Sequence, residues 1–158
     1  MPTFTTVSEA PASPDATFAF ICDLSRWPLF RGYGPLPGIA EASVDGNIVG
    51  PNSRIRVRNT DGSVHHEVVQ AFEPGRRYVI RMELAPPVSY VMAWIEETVL
   101  LEPIAGGSGT RLRRTFVVTP RTWLTAPIAW LFGGVLLPRA VERHNRAVAD
   151  ALAGPQPT

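Results

Sequence analysis

Two charged side chains fall on strand faces that are otherwise apolar. Arg114 shares its strand parity with Leu112, Phe116 and Val118, and on the reading adopted for the preceding strand Glu96 shares its own with Tyr90, Met92 and Trp94. Such a pair, set opposite or diagonal across the Gly-rich hairpin at 106–109, can orient a carbonyl or phenolate. It can also relay protons during an aldol-type cyclisation and dehydration. The same pair can equally be a structural ion pair whose attraction offsets its burial. Glu96 and Arg114 are therefore the candidate catalytic residues, and no assembled catalytic set accompanies them.

Other chemistry is absent or weak. His65 and His66 are neighbours on a strand and face opposite sides, and His144 has no second ligand at helical spacing, so no metal site is expected. Cys22 lies on an apolar helical stripe, the setting of an inert buried thiol. The Gly32–Gly38 loop has the wrong spacing for a dinucleotide turn, and its prolines keep a helix from starting there. All 15 basic residues are arginine, which excludes Schiff-base and P-loop lysine chemistry. No cofactor is expected.

The elements that position these residues follow from turn chemistry. Strands are predicted over 3–8, 39–44, 53–60, 63–73, 76–85, 89–102 and 110–119, with Asp61-Gly62 and Pro74-Gly75 among the turns between them. Ser13 is a natural N-cap with Pro14 at the first helical position. Asp23 and Ser25 open a second short helix that Trp27-Pro28 ends. Alternation turns Ile55 and Val57 inward, and likewise Tyr78, Ile80, Met82 and Leu84, while Arg54, Arg56 and Arg58 form a solvated outer row. Residues 121–152 read as helix, with a break expected near 133–138 where Pro138 removes a donor. The fold class is α+β, a single domain over 1–153 with a disordered tail at 154–158.

At 158 residues the chain can bury roughly 70% of its unfolded surface. A net charge of +1 argues against nucleic-acid binding driven by charge. The lone cysteine and an N-terminus without basic residue or apolar core point to a cytoplasmic location. The uncharged stretch between Arg121 and Arg139 is shorter than the roughly 20 residues that cross a bilayer. It is interrupted by Pro127, Gly133 and Gly134, so it is read as a helix buried against the sheet.

Three sets of motifs carry a family resemblance. They are Pro11-Ala12-Ser13-Pro14-Asp15-Ala16-Thr17-Phe18 followed by Asp23-Leu24-Ser25-Arg26-Trp27-Pro28; the turns Asp61-Gly62, Glu73-Pro74-Gly75-Arg76-Arg77-Tyr78 and Gly107-Ser108-Gly109-Thr110-Arg111-Leu112; and Arg143-His144-Asn145 on the terminal helix. Taken in order, the chain resembles the START-related SRPBCC superfamily, in its polyketide cyclase/dehydrase-like branch. The resemblance implies a helix-grip fold: a seven-stranded curved antiparallel sheet wrapped around a long C-terminal helix, with two short helices after the first strand. It implies a hydrophobic cavity and binding of a small molecule or lipid, with catalysis in a minority of members and no universal catalytic residue. Trp27, Tyr33, Trp94 and Arg114 lie where members of this branch line that cavity. Gly133-Gly134 and Pro138 depart from the usual pattern.

The expected function is binding of a hydrophobic small molecule, a lipid, isoprenoid or polyketide-like ring, between sheet and terminal helix. The expected contacts are Trp27, Tyr33, Val57, Tyr78, Tyr90, Met92, Trp94, Arg114, Phe116 and Trp130. The alternatives are a polyketide cyclase or dehydratase using polar groups of the same cavity, and peripheral membrane or partner contact through 123–137.

Overall fold

Glycine turns and alternating strands build the sheet. In the computed structural model, which describes residues 1–155, the strands are β1 (Thr3–Ala10), β2 (Ile39–Ser43), β3 (Arg54–Asn59), β4 (Val64–Glu73), β5 (Arg77–Glu83), β6 (Met92–Pro103) and β7 (Thr110–Pro120). They form one antiparallel sheet in the order β1-β7-β6-β5-β4-β3-β2. The tight turn after β3 needs a positive φ, which Gly62 supplies at +86°, as Gly75 does at +72° between β4 and β5. Of the predicted tail, positions 156–158 lie outside the described residues.

Helix α1 (Pro14–Cys22) starts as its cap residues require. Ser13 Oγ accepts the Ala16 N–H at 3.2 Å, and Pro14 and Asp15 occupy the first turn. A 3-10 helix over Leu24–Leu29 follows, with Asp23 Oδ1 accepting the Ser25 N–H. After β7 come α2 (Ala126–Leu131), a π turn (Phe132–Leu136) and α3 (Leu137–Ala153). The arrangement is the helix-grip fold.

The expected break at 133–138 takes the form of that π turn. Pro138 stands in the first turn of α3, where its missing N–H leaves no gap in the α ladder, and the wider turn before it takes up the mismatch. In α3, Leu137, Ala140, Val141, Asn145, Val148 and Leu152 are buried at three- and four-residue spacing, the stripe a surface helix lays on a core.

Two expectations are corrected. Residues Val88–Tyr90 form a 3-10 turn instead of the start of β6, and the β6–β7 register shifts between Met92 and Trp94. A one-residue shift exchanges the faces of everything beyond it. Ile95, Glu97, Val99 and Leu101 therefore point into the core. Glu96 faces outward and pairs with Arg81 at 3.5 Å, and that guanidinium lies over the Trp94 ring.

The second correction concerns α2. Its approach to the sheet runs through small residues, Ala129 and Gly133; a Cβ on Gly133 would stand 3.0 Å from Val118 Cγ2. The large apolar residues lie on other sides of the helix. Trp123 is 82% exposed and Trp130 65%, with Leu124, Ile128 and Leu131 also exposed. The segment 123–131 is thus a surface helix with an apolar outer face.

Candidate functional site

Between the concave face and the helices lies a cavity of about 530 Å³, within the range of small-molecule sites. β5 contributes Tyr78, Ile80 and Met82 to its wall, β6 Ile95, Glu97 and Val99, and β7 Arg114 and Phe116. Trp27 and Phe30 close one side, α3 adds His144 and Val148, and Ile128, Phe132 and Leu136 form the roof. Apolar side chains dominate, as the alternation of β5 and β7 dictates.

Arg114 occupies the centre of a buried polar network. Its Nε donates to Glu97 Oε1 at 2.6 Å, and Nη1 donates to His144 Nδ1 at 2.7 Å and to Asn145 Oδ1 at 3.0 Å. Asn145 Nδ2 in turn donates to Thr6 Oγ1 at 3.2 Å. Burial pushes the Glu97 carboxyl above its usual range, and the Arg114 charge opposes that shift. Burial, helped by Arg114, pushes His144 down to about 3, so it stays a neutral acceptor. One guanidinium thus joins β6, β7, α3 and β1.

A second polar group stands further along the wall. His65 Nε2 lies 3.0 Å from Glu67 Oε1, and Asn59 Nδ2 lies 3.2 Å from His65 Nδ1. His65 and Glu67 share a face of β4 because they are two residues apart. Tyr78, 2% exposed, carries a hydroxyl without a hydrogen-bond partner among the described residues. Cys22 lies outside the lining, and burial raises its thiol to about 12, which keeps it protonated.

Of the residues expected to line a site, Trp27, Tyr78, Met92, Arg114 and Phe116 border the cavity. Val57 is fully buried and packs in the core cluster that includes Phe18, outside the lining. Tyr33 sits in the loop before β2, its ring under the Arg139 guanidinium. Tyr90, Trp94 and Trp130 face solvent. The 3-10 turn displaces Tyr90, the register shift turns Trp94 out, and Ala129 takes the sheet-facing position beside Trp130. Glu96 is likewise off the cavity, and Glu97 is the carboxylate that meets Arg114.

Sequence reasoning passed over Glu97 and Glu67, weighed His65 only as a metal ligand, and named Asn145 only within the motif on the terminal helix. A signal existed for Glu97: Ile95, Val99 and Leu101 form the more uniformly apolar of the two β6 faces. His65 and Glu67 share parity with Val69, which is fully buried.

The sequence matches the family described as polyketide cyclase/dehydrase and lipid transport over residues 1–154. No curated protein matches it. Among solved structures it is similar to an uncharacterised protein from Bacillus thuringiensis, at 16% identity and a TM-score of 0.69, covering 96% of this chain and 99% of that one. It is similar to the protein TTHA0849 from Thermus thermophilus, at 15% identity and a TM-score of 0.69, covering 96% and 97%. It also resembles a point mutant of Thalictrum flavum norcoclaurine synthase bound to a transition-state analogue, at 10% identity and a TM-score of 0.68, covering 95% and 92%. At these identities the likeness is one of fold.

Proposed function

The chain belongs to the polyketide cyclase/dehydrase and lipid transport family, and from that membership we propose that it binds a hydrophobic small molecule, a lipid, isoprenoid or polyketide-like ring, between sheet and helices. The observation that carries this reading is the cavity of about 530 Å³ with its largely apolar wall. Burial of apolar surface supplies the affinity, at roughly 25 cal/mol per Å² before ordering costs, and a few polar groups set orientation. Native mass spectrometry of the protein purified from its host is expected to show one apolar species per chain. Finding none, with no binding of fluorescent fatty-acid or aromatic probes, would overturn the reading.

A catalytic reading is favoured by one observation, the Glu97–Arg114 pair bordering the cavity beside neutral His144. In a cyclase or dehydratase of poly-β-ketones, Arg114 would steady a developing enolate and Glu97 would carry the proton. Glu97→Gln keeps the shape of the side chain. It is expected to lower turnover by about a hundredfold while probe binding persists; unchanged turnover would remove the catalytic role.

Peripheral membrane contact through 123–137 belongs to the same reading. Ile128 and Phe132 roof the cavity while Trp123, Leu124 and Leu131 of the same stretch face solvent. A guest released beneath this roof would have a short path to a bilayer.

A further inference from the structure

The protons of one side-chain chain can be placed one by one. Ser63 Oγ lies 2.6 Å from Asp61 Oδ1. Hydrogen bonds from Ser63 hold the Asp61 carboxyl below its ordinary value, so it accepts and Ser63 donates. Asn59 Nδ2 lies 2.9 Å from Ser63 Oγ and 3.2 Å from His65 Nδ1, and an amide nitrogen only donates. His65 therefore accepts at Nδ1 and carries its proton on Nε2, which is 3.0 Å from Glu67 Oε1. That proton gives Glu67 a hydrogen bond.

Glu67 is only 3% exposed, borders the cavity, and makes no hydrogen bond through Oε2 among the described residues. On the concave face Ile80 pairs with Val69 and with Glu97, and Glu67 pairs with Met82 one step along. Tyr78 lies on the other side of Ile80, with its hydroxyl buried and unpartnered among the described residues. Arg114 and Glu97 offset one another's charge, whereas Glu67 has only the His65 imidazole and no arginine paired with it among the described residues. A buried hydroxyl left without a partner is costly unless something bonds to it, and beside it Glu67 brings to the cavity it borders a carboxylate oxygen that no side chain among the described residues uses.

We infer that this wall of the cavity, formed by Glu67 and Tyr78, is a polar subsite for a hydrogen-bond-donating group of the guest, a hydroxyl or a protonated amine. The inference rests on the reading that the cavity holds a guest, and it narrows the guest to an apolar body with a donor on it. A carboxylate-headed chain is disfavoured at this wall, because it would meet the Glu67 charge.

The test uses four probes of one ring size, naphthalene, 2-naphthol, protonated 2-naphthylmethylamine and 2-naphthoate, titrated by calorimetry against the full chain freed of bound molecules. At least one donor probe is expected to bind about tenfold more tightly than naphthalene, and 2-naphthoate more weakly than naphthalene. Glu67→Gln should bring the amine to within about twofold of naphthalene and leave naphthalene itself unchanged. Tyr78→Phe should weaken 2-naphthol while raising the melting temperature of the ligand-free protein, since it removes an unpaired buried hydroxyl. A larger gain for the amine assigns the subsite to charge compensation at Glu67; a larger gain for 2-naphthol assigns it to a hydroxyl. Equal binding of all four, or a donor preference that survives in both variants, overturns the subsite but leaves the cavity reading standing. If none of the four binds, both fall together.

Discussion

Arg114 decides how the cavity floor is charged, and its neighbour His144 turns that into a pH dependence. In the folded chain His144 titrates at about 3 against an ordinary value of 6.5. Between those values the unfolded chain binds more protons, so stability is full above the ordinary value and falls as pH drops through the window. From pH 7 to pH 5 the loss is about 2 kcal/mol. Glu97 works in the opposite sense: its carboxyl is raised, so the stability it contributes is present below the ordinary carboxylate value and is lost as pH rises through its folded value. His144→Gln keeps an acceptor for Arg114 and should abolish the His144 part of the slope in urea denaturation at the two pH values; an unaltered slope would refute the assignment. The direction of Arg114 is legible in the sequence because Leu112, Phe116 and Val118 share its parity. Its partner is legible only in part: both faces of β6 carry large apolar residues over 92–101, the face of Ile95, Val99 and Leu101 more uniformly, and the register shift after Met92 decides for Glu97 over Glu96.

At the scale of elements, the helix after β7 is where sequence pattern and structure part most. An uncharged run of 17 residues between Arg121 and Arg139 reads as a core helix. Burial is set by which residue reaches the sheet, and here glycine and alanine do, leaving the tryptophans outside. The spacing of the small residues, Ala129 and Gly133, is the legible part of this choice. A large side chain at Gly133 has no room: its Cβ would lie 3.0 Å from Val118 Cγ2 and 3.4 Å from Pro2 Cβ. Gly133→Leu is expected to cost about 1–3 kcal/mol by overpacking, read as a drop of several degrees in the thermal midpoint by circular dichroism. At Gly134 a Cβ meets only the Trp130 ring, at 3.3 Å. Gly134→Ala should therefore cost less, and an equal cost at the two positions would contradict the packing described.

For the whole molecule, charge and exposed apolar surface are distributed together. No acidic residue occurs between Glu102 and Glu142, and arginines at 121 and 139 border the exposed helix. The helix Trp123–Ala153 is long and apolar enough to cross a membrane by length and composition, yet its second part is committed to the core by Val141, Asn145 and Val148. The proposed contact with a bilayer surface would use the first half and leave the second on the core. The protein is expected to float with vesicles of anionic phospholipid, and a Trp123→Ser/Trp130→Ser variant with an unchanged circular dichroism spectrum to remain at the bottom; sedimentation of the parent protein would exclude this contact. The network around Arg114 has one more consequence, for biosynthesis. Thr6 and Asn145, hydrogen-bonded to one another, are 139 positions apart, and β1 pairs with β7. Translation delivers β1 before its partner strand, which emerges about a hundred residues later, and α3 only after both. Until α3 has been made, the apolar concave face lacks the helix that covers it, and exposed surface of that kind is what holdase chaperones bind.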